Sequence, residues 1–386
     1  MLTTLAVTNY RSLRDLVVPL ERLNVVVGAN GSGKSNVYRA LRLLAETAQT
    51  GIVPALAREG GMDSTLWAGP ETISRAMQRR DVRLQGGPRQ DVVRLQLGFA
   101  SDDLGYAIDL GYPEPSRSAF ARDPQIKREV IWHGDILRSA STLVDRRGNV
   151  MKVREGRTWH VSHQHLNTFE SIFMQAADPQ RAPEVLTLRE TIRGWRFYDH
   201  FRTDADSPAR LPQLGTRTPV LGHDGRDLAA AWQTIREISD AHALDAAVND
   251  AFPGATVDVH NLDGRFILHL SQEGLLRSLS TAELSDGTLR YLLWIAALHT
   301  PRPPELMVLN EPETSLHPDL LPPLARLIGA AARHSQVWVV SHAPRLIAAL
   351  EDQPNCHTIT LDKDMSQTVV RGQGLLDRPA WHWPER

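Results

Sequence analysis

The sequence predicts an α/β fold, a mixed β-sheet with flanking helices and an inserted β-rich region, from three observations. An apolar, β-branched run at residues 23–27 is followed by a glycine-rich stretch and a helical pattern. Strands and helices alternate between residues 285 and 350, which is typical of a parallel sheet. The residues between these regions carry mainly strand patterns and turn residues.

The first fifty residues predict three strands, a glycine-rich loop and a helix. The pattern places strands at 2–7 and 16–20, and the run at 23–27 reads as a buried strand because Gly28 bounds it. Apolar residues at helical spacing predict a helix at 35–44. This order is strand, strand, strand, loop, helix.

The rest of the chain divides into a β-rich middle and a region of alternating elements. In the middle we predict strands at 93–99, 106–110, 126–132, 142–153 and 195–198. We also predict one short helix there, at 169–176. Beyond it we predict a helix at 227–247, a hairpin at 255–270, and then elements at 285–299, 305–309, 320–332, 336–340 and 345–350, before a closing hairpin at 357–371.

Bulk composition indicates an intracellular globular protein. The 386 residues carry a formal net charge of −2, which argues against a protein that coats nucleic acid non-specifically. The single cysteine, Cys356, excludes an intrachain disulfide framework and indicates a reducing compartment. No secretory signal is apparent, and no stretch approaches the ~20 apolar residues of a membrane span. We therefore expect a cytoplasmic protein that does not enter a membrane.

The strongest motif is the run Gly28-Ala29-Asn30-Gly31-Ser32-Gly33-Lys34-Ser35, which fits the P-loop pattern G-x-x-x-x-G-K-[ST] between a strand and a helix. Glycines let the backbone turn sharply and aim N–H groups at phosphate, and the helix N-terminus adds positive potential. Lys34 would reach the β- and γ-phosphates, and the Ser35 hydroxyl would ligate Mg²⁺. The predicted ATP-binding residues are Gly28, Asn30, Gly31, Ser32, Gly33, Lys34, Ser35 and Asn36.

The second motif is an apolar strand that ends in Asn310-Glu311-Pro312, the arrangement of a Walker B strand. Glu311 is the candidate general base or water-orienting group. Asn310 stands at the position of the Mg²⁺-binding carboxylate, where an amide oxygen can bond to a Mg²⁺-bound water but brings no negative charge.

Two shorter motifs are ambiguous by themselves. Ser285-Asp286-Gly287 precedes a helix and is by itself more typical of an ordinary helix cap. His342 ends an apolar strand, where a lone histidine is more often structural than a γ-phosphate ligand.

Together these motifs resemble the ABC-type ATPase superfamily, and more narrowly its RecF/SMC-like branch with standalone AAA-family ATPases. The start Asn9-Tyr10-Arg11-Ser12 looks like the N-x-R-S opening of that branch. Residues 285–287 look like the ABC signature, residues 310–318 like its Walker B and D-loop run, and His342 like its switch histidine. The resemblance covers about half of the chain and does not extend to the middle region.

The resemblance implies an ATPase head formed by residues 1–50 and 225–375, with an insertion at 51–224 and a tail at 376–386. Two heads would dimerise head-to-tail, and ATP on one would be closed in trans by Ser285 and Gly287 of the other. Catalysis would fall to Glu311, His342 and Lys34, and Arg11 would reach phosphate in cis.

The function implied is an ATP-hydrolysing switch that acts on DNA, in repair or phage defence. The alternative is a slow-turnover, nucleotide-gated module that controls an effector protein, which the asparagine at 310 favours. A transporter subunit fits the N-terminal motif and the Walker B run poorly.

One expected residue is not placed, and two further motifs are interpreted as structural. The Q-loop glutamine is not placed; Gln85, Gln90 and Gln96 are the candidates. Residues 362–364, Asp-Lys-Asp, look like part of a Toprim nuclease site, but too few residues follow for that domain, which favours a hairpin turn. The three histidines between 160 and 165 lack accompanying cysteines or carboxylates, which favours a solvated strand end over a metal site.

Overall fold

A computed structural model describes residues 1–70, 92–115, 117–374 and 376–386. By its internal contacts the chain divides into two units. Unit 1 comprises Met1–Glu21, Gly28–Trp195 and Ile359–Arg386; unit 2 comprises Arg22–Val27 and Arg196–Thr358. The boundaries of the ATPase head, placed at residues 50 and 225 from the sequence, stay a prediction.

The described strands, in chain order, are β1 Leu2–Tyr10, β2 Leu13–Pro19, β3 Leu23–Gly28, β4 Leu95–Ser101, β5 Leu104–Gly111, β6 Gln125–His133, β7 Thr142–Arg147, β8 Val150–Glu155, β9 Thr158–His163, β10 Arg196–Tyr198, β11 Gln213–Leu214, β12 Thr256–Leu262, β13 Arg265–Ser271, β14 Leu279–Ser280, β15 Leu306–Asn310, β16 Gln336–Val340, β17 Cys356–Asp364 and β18 Gln367–Val370.

The described α-helices are α1 Lys34–Glu46, α2 Ile52–Arg58, α3 Met62–Thr65, α4 Ile172–Gln175, α5 Pro183–Gly194, α6 Leu228–Ile238, α7 Ala241–Ala251, α8 Asp286–Leu298, α9 Leu321–Ala331 and α10 Pro344–Glu351. No helix in the described ranges is long and apolar enough to cross a membrane.

Unit 1 is built on an antiparallel sheet in the order β2-β1-β4-β5-β6-β7-β8-β9. The strands predicted at 93–99 and 106–110 are confirmed as β4 and β5, and they form an antiparallel hairpin with Leu97 opposite Ile108. Its turn is closed by Ser101, whose hydroxyl accepts the backbone N–H groups of Asp103 at 3.1 Å and Leu104 at 3.0 Å. A serine at the start of a turn favours this geometry because its side chain replaces a backbone acceptor.

Unit 2 contains four parallel strands in the order β10-β15-β16-β3. β15 and β16 are almost completely buried, as continuous apolar runs covered on both faces should be. Helix α8 is buried on all sides over its last ten residues and lies in the same apolar core as β15. The α/β fold class with a parallel sheet is therefore confirmed.

Two predictions about helices are wrong. The single helix predicted at 227–247 is two helices, because the Asp240 side chain accepts the Ala243 N–H at 2.9 Å and caps the start of α7. Helix α5 lies between the elements predicted at 169–176 and 195–198, where no helix is predicted from the sequence. Its signal is a proline at the first position and buried apolar residues at helical spacing, Val185, Leu188 and Ile192.

Candidate functional site

The glycine-rich loop follows β3 directly and leads into α1, as predicted. Gly28 and Gly33 have φ angles of 154° and 109°, which side-chain-bearing residues rarely adopt. A Cβ on Gly28 would lie 2.4 Å from the Leu361 carbonyl oxygen, and one on Gly33 would lie 2.0 Å from the Thr368 hydroxyl. The two glycines are therefore required by close approach as well as by backbone conformation.

The loop presents groups that suit a phosphate chain. Lys34 is buried, and its Nζ donates to the Gly28 carbonyl at 2.6 Å and the Ala29 carbonyl at 3.2 Å. A Cβ on Gly31 would meet nothing within 4 Å, so the loop backbone is accessible there. The Ser32 hydroxyl is buried and has no hydrogen-bond partner in the part of the chain that the structure describes. An anion at this loop would find an open backbone, an ammonium group and a hydroxyl.

Ser12 of the N-terminal motif belongs to a hydrogen-bond network that reaches the glycine-rich loop. Ser12 Oγ accepts from Asn36 Nδ2 at 2.8 Å and lies 2.7 Å from the Thr368 hydroxyl. Thr368 in turn donates to the Ser32 carbonyl at 2.8 Å. Strand β18, far along the chain, therefore holds the loop, and sequence spacing gives no sign of it.

Arg11, which is predicted to reach phosphate, forms an ion pair with Glu59. Its Nη2 donates to Glu59 Oε2 at 2.7 Å, and the same oxygen accepts the Tyr10 hydroxyl at 2.6 Å. Burial lowers the pKa of Arg11, but the hydrogen bonds to Glu59 and Tyr10 outweigh it and raise the pKa overall. The sequence reading missed Glu59, which follows helix α2.

In unit 2, the Walker B residues stand at the carboxyl edge of the parallel strands. Asn310 is opposite Val340, and Val340 is opposite Val26, two residues before Gly28. Glu311 has a φ of 50°, and its N–H donates to the Val340 carbonyl at 2.8 Å. Its side chain is 46% exposed, so the carboxylate is accessible to water.

A residue that the sequence reading missed, Glu313, fixes the loop that carries His342. Its Oε1 accepts the Ser341 hydroxyl at 2.7 Å and the N–H groups of His342 at 2.9 Å and Ala343 at 3.2 Å. The His342 Nδ1 lies 3.4 Å from Glu313 and 3.8 Å from Glu311. Asn310, Glu311 and His342 are thus brought to one edge, and the buried Glu313 positions the histidine.

The signature residues begin helix α8 as predicted. The Ser285 hydroxyl accepts the Thr288 N–H at 3.1 Å, and Gly287 passes close to the D-loop, where a Cβ would lie 2.9 Å from the Ser315 carbonyl oxygen. Arg210, another missed residue, is buried and donates to the Leu284 carbonyl at 2.8 Å and the Asp286 carboxylate at 2.7 Å. The conformation of the loop that precedes α8 is therefore fixed by an arginine that is distant in the sequence.

The remaining candidates are the glutamines, the Asp-Lys-Asp run at 362–364 and the histidines between 160 and 165. Gln85 and Gln90 lie outside the described residues, and Gln96 is buried in β4. Asp362 lies in β17, before the hairpin turn, and pairs with Arg371 at 2.7 Å. No group of three or more potential ligands, the histidines of β9 included, could hold a metal within the described ranges.

The chain has a glycine-rich, lysine-bearing loop between a buried strand and a helix, and its parallel strand β15 ends in Asn-Glu-Pro. These two features define an ATP-binding P-loop ATPase. The family model described as "AAA domain, putative AbiEii toxin, Type IV TA system" matches residues 23–348, and the chain belongs to this family. No curated protein matches the chain.

Three solved structures of SMC heads match the chain at low sequence identity. An Smc head bound to the C-winged helix domain of ScpA matches with a TM-score of 0.52 at 12% identity, over 97% of this chain and 98% of that one. An Smc head with an extended coiled coil from Pyrococcus furiosus, bound to the C-terminal domain of ScpA, gives 0.48 at 12% identity over 96% and 95%. The SMC head domain from Thermotoga maritima gives 0.45 at 12% over 97% and 99%. The first of these matches shows that the chain has the fold of an SMC-type ATPase head.

Proposed function

We propose that this chain hydrolyses ATP and that ATP binding joins two copies head-to-tail. The observation that carries the proposal is the loop at residues 28–35, where close approach excludes a side chain at two glycines and Lys34 is held against the loop carbonyls. Gly28, Asn30, Gly31, Ser32, Gly33 and Asn36 would bind the nucleotide with Lys34.

The chemistry would come from residues at the strand edge. Glu311 would orient the attacking water and take its proton, and His342 would contact the γ-phosphate. Ser35 and, through water, Asn310 would hold Mg²⁺, which supplies charge neutralisation for the phosphates. Arg11 would reach phosphate after leaving Glu59.

Closure would occur in trans. Ser285 and Gly287 of a second copy would bind the γ-phosphate through the N-terminal N–H groups of α8, where the helix dipole favours an anion. Hydrolysis would then release the dimer. The single cysteine favours a cytoplasmic location.

Phosphate release at saturating Mg-ATP tests this function, with mass in solution measured alongside. The intact protein should turn over, Glu311→Gln should stall as an ATP-bound dimer, and Glu273→Gln, an exposed glutamate in a loop, should behave as intact. Absence of nucleotide binding by the intact protein would contradict the proposal.

We further propose DNA as the substrate on which the switch acts, in repair or phage defence. One face of the β8–β9 hairpin favours it: Lys152 is opposite Val161 and Arg154 is opposite Trp159, so cations and an exposed indole share that face. DNA affinity should rise with ATP, and Trp159→Ala should weaken binding. Equal DNA affinity in all nucleotide states would rule this out.

The alternative, a slow module that controls a partner protein, is favoured by the amide at Asn310. The Smc head with the same fold is bound to the C-winged helix domain of another protein, ScpA. Steady turnover of several ATP per minute by the purified chain would count against this alternative.

A further inference from the structure

The carboxyl edge of the parallel strands carries an acid next to the uncharged Walker B position. Strand β10 pairs in parallel with β15, and Tyr198 is opposite Leu309. The next residues along the two strands are Asp199 and Asn310. Because parallel strands advance by the same rise per residue, Asp199 leaves β10 alongside Asn310.

Side-chain alternation puts the two on the same face of the sheet. Tyr198 and Leu309 are both buried in the main apolar core of unit 2. Successive side chains of a strand point to opposite faces, so Asp199 and Asn310 share the face away from that core. Both are partly buried. Burial raises the pKa of Asp199 to about 6, against an opposing effect of His223.

The other side chains at this edge leave Mg²⁺ short of a carboxylate that Asp199 can supply. Mg²⁺ in phosphate-handling sites keeps several waters and is bound through one or two carboxylates. Asn310 contributes oxygen without charge, and the Glu311 carboxylate lies 3.8 Å from His342, in the position of a water-orienting group. Asp199 is the acid that the register places next to the amide.

We propose that Asp199 supplies, from the neighbouring strand, the negative charge that the Walker B position lacks, and that it binds Mg²⁺ together with Asn310 through metal-bound water. The inference rests on the proposed ATP site and adds a residue to it. It would explain how a chain with asparagine at this position could hydrolyse ATP, because the carboxylate stands at the end of the neighbouring strand on the same edge.

A purely structural role for Asp199 makes a different prediction. A carboxylate that only supports the fold would lower thermal stability when neutralised and leave the metal dependence of nucleotide binding unchanged. Asp227 is the matched comparison, because it is also partly buried, its pKa is also raised by burial, and its carboxylate already accepts the Gly222 N–H at 3.0 Å within its own loop.

The experiment is a titration of a fluorescent ATP analogue with and without Mg²⁺, and the readout is the ratio of the two Kd values. It uses the full chain with Asp199→Asn, Asn310→Asp, the two combined, and Asp227→Asn. We expect Asp199→Asn to lower the Mg²⁺ effect about 10- to 100-fold, the range for residues that bind a metal through its water. Asn310→Asp should restore the effect in the Asp199→Asn background, and Asp227→Asn should retain it.

Three outcomes would overturn the inference. The first is an Asp199→Asn protein whose Mg²⁺ effect stays within twofold of intact; the second is failure of Asn310→Asp to restore it. The third is an intact protein that binds the analogue equally with and without Mg²⁺, which leaves the proposed nucleotide site standing. An intact protein that binds no nucleotide at all overturns the proposed function as well, so the two failures are distinguishable. A melting temperature measured on each variant identifies any that does not fold.

Discussion

Replacement of Glu313 by alanine should destabilise the protein and slow its ATP turnover together. The buried carboxylate oxygen accepts three hydrogen bonds, from the Ser341 hydroxyl and the N–H groups of His342 and Ala343. At about 1 kcal/mol net for each bond, and with buried donors left unpaired, the expected loss is roughly 2–4 kcal/mol. Released from this anchor, His342 no longer has a fixed position, so turnover should fall as well.

Thermal unfolding measures the loss in stability. A change of this size corresponds to about 4–16 °C in Tm for a domain of 150–250 residues. Glu313→Gln keeps an oxygen acceptor at the same place and should lose less than half as much. An exposed control, Glu273→Ala, should change stability by no more than about 0.5 kcal/mol. Equal losses for the alanine and glutamine variants would refute the assignment of the stability to these hydrogen bonds.

Three further substitutions test other contacts. Gly33→Ala should abolish nucleotide binding, because its Cβ would lie 2.0 Å from the Thr368 hydroxyl; an ATP titration that gives the intact affinity would contradict this. Glu59→Gln should tighten ATP binding several-fold if the ion pair at 2.7 Å competes with phosphate for Arg11, and an unchanged Kd would show that it does not. Arg210→Met should lower Tm and weaken ATP-dependent dimerisation, because the loop before α8 loses bonds to the guanidinium. An unchanged Tm together with an unchanged mass in solution in the presence of ATP would refute this.

The residues that could be predicted from the sequence lie within short motifs whose spacing has a local cause. The P-loop was predictable because its glycines and lysine occupy one turn between a strand and a helix. The strand before Asn310 was predictable because a buried parallel strand is a continuous apolar run.

The residues that could not be predicted act across long sequence separations. Arg210 fixes a loop more than seventy residues away, and Thr368 supports a loop more than three hundred residues earlier. Asp199 gains its meaning only from the register of β10 against β15. None of these pairings leaves a periodic or spacing signal, because tertiary packing alone brings the partners together.

The helix errors have local causes. The break between α6 and α7 depends on one aspartate that caps the second helix, within a pattern that is otherwise continuously helical. A competing side-chain acceptor is sufficient to end a helix where apolar periodicity predicts none.

The most direct test of the central claim, an ATPase site closed in trans by a second copy, is complementation between two inactive variants. Lys34→Ala removes the phosphate-binding lysine, and Ser285→Arg blocks the signature surface. Each alone should release no phosphate. In a head-to-tail dimer of one of each, one composite site is intact, so an equal mixture should recover at most about a quarter of the intact activity. A mixture as inactive as its components, with both variants folded and able to dimerise, would contradict closure in trans.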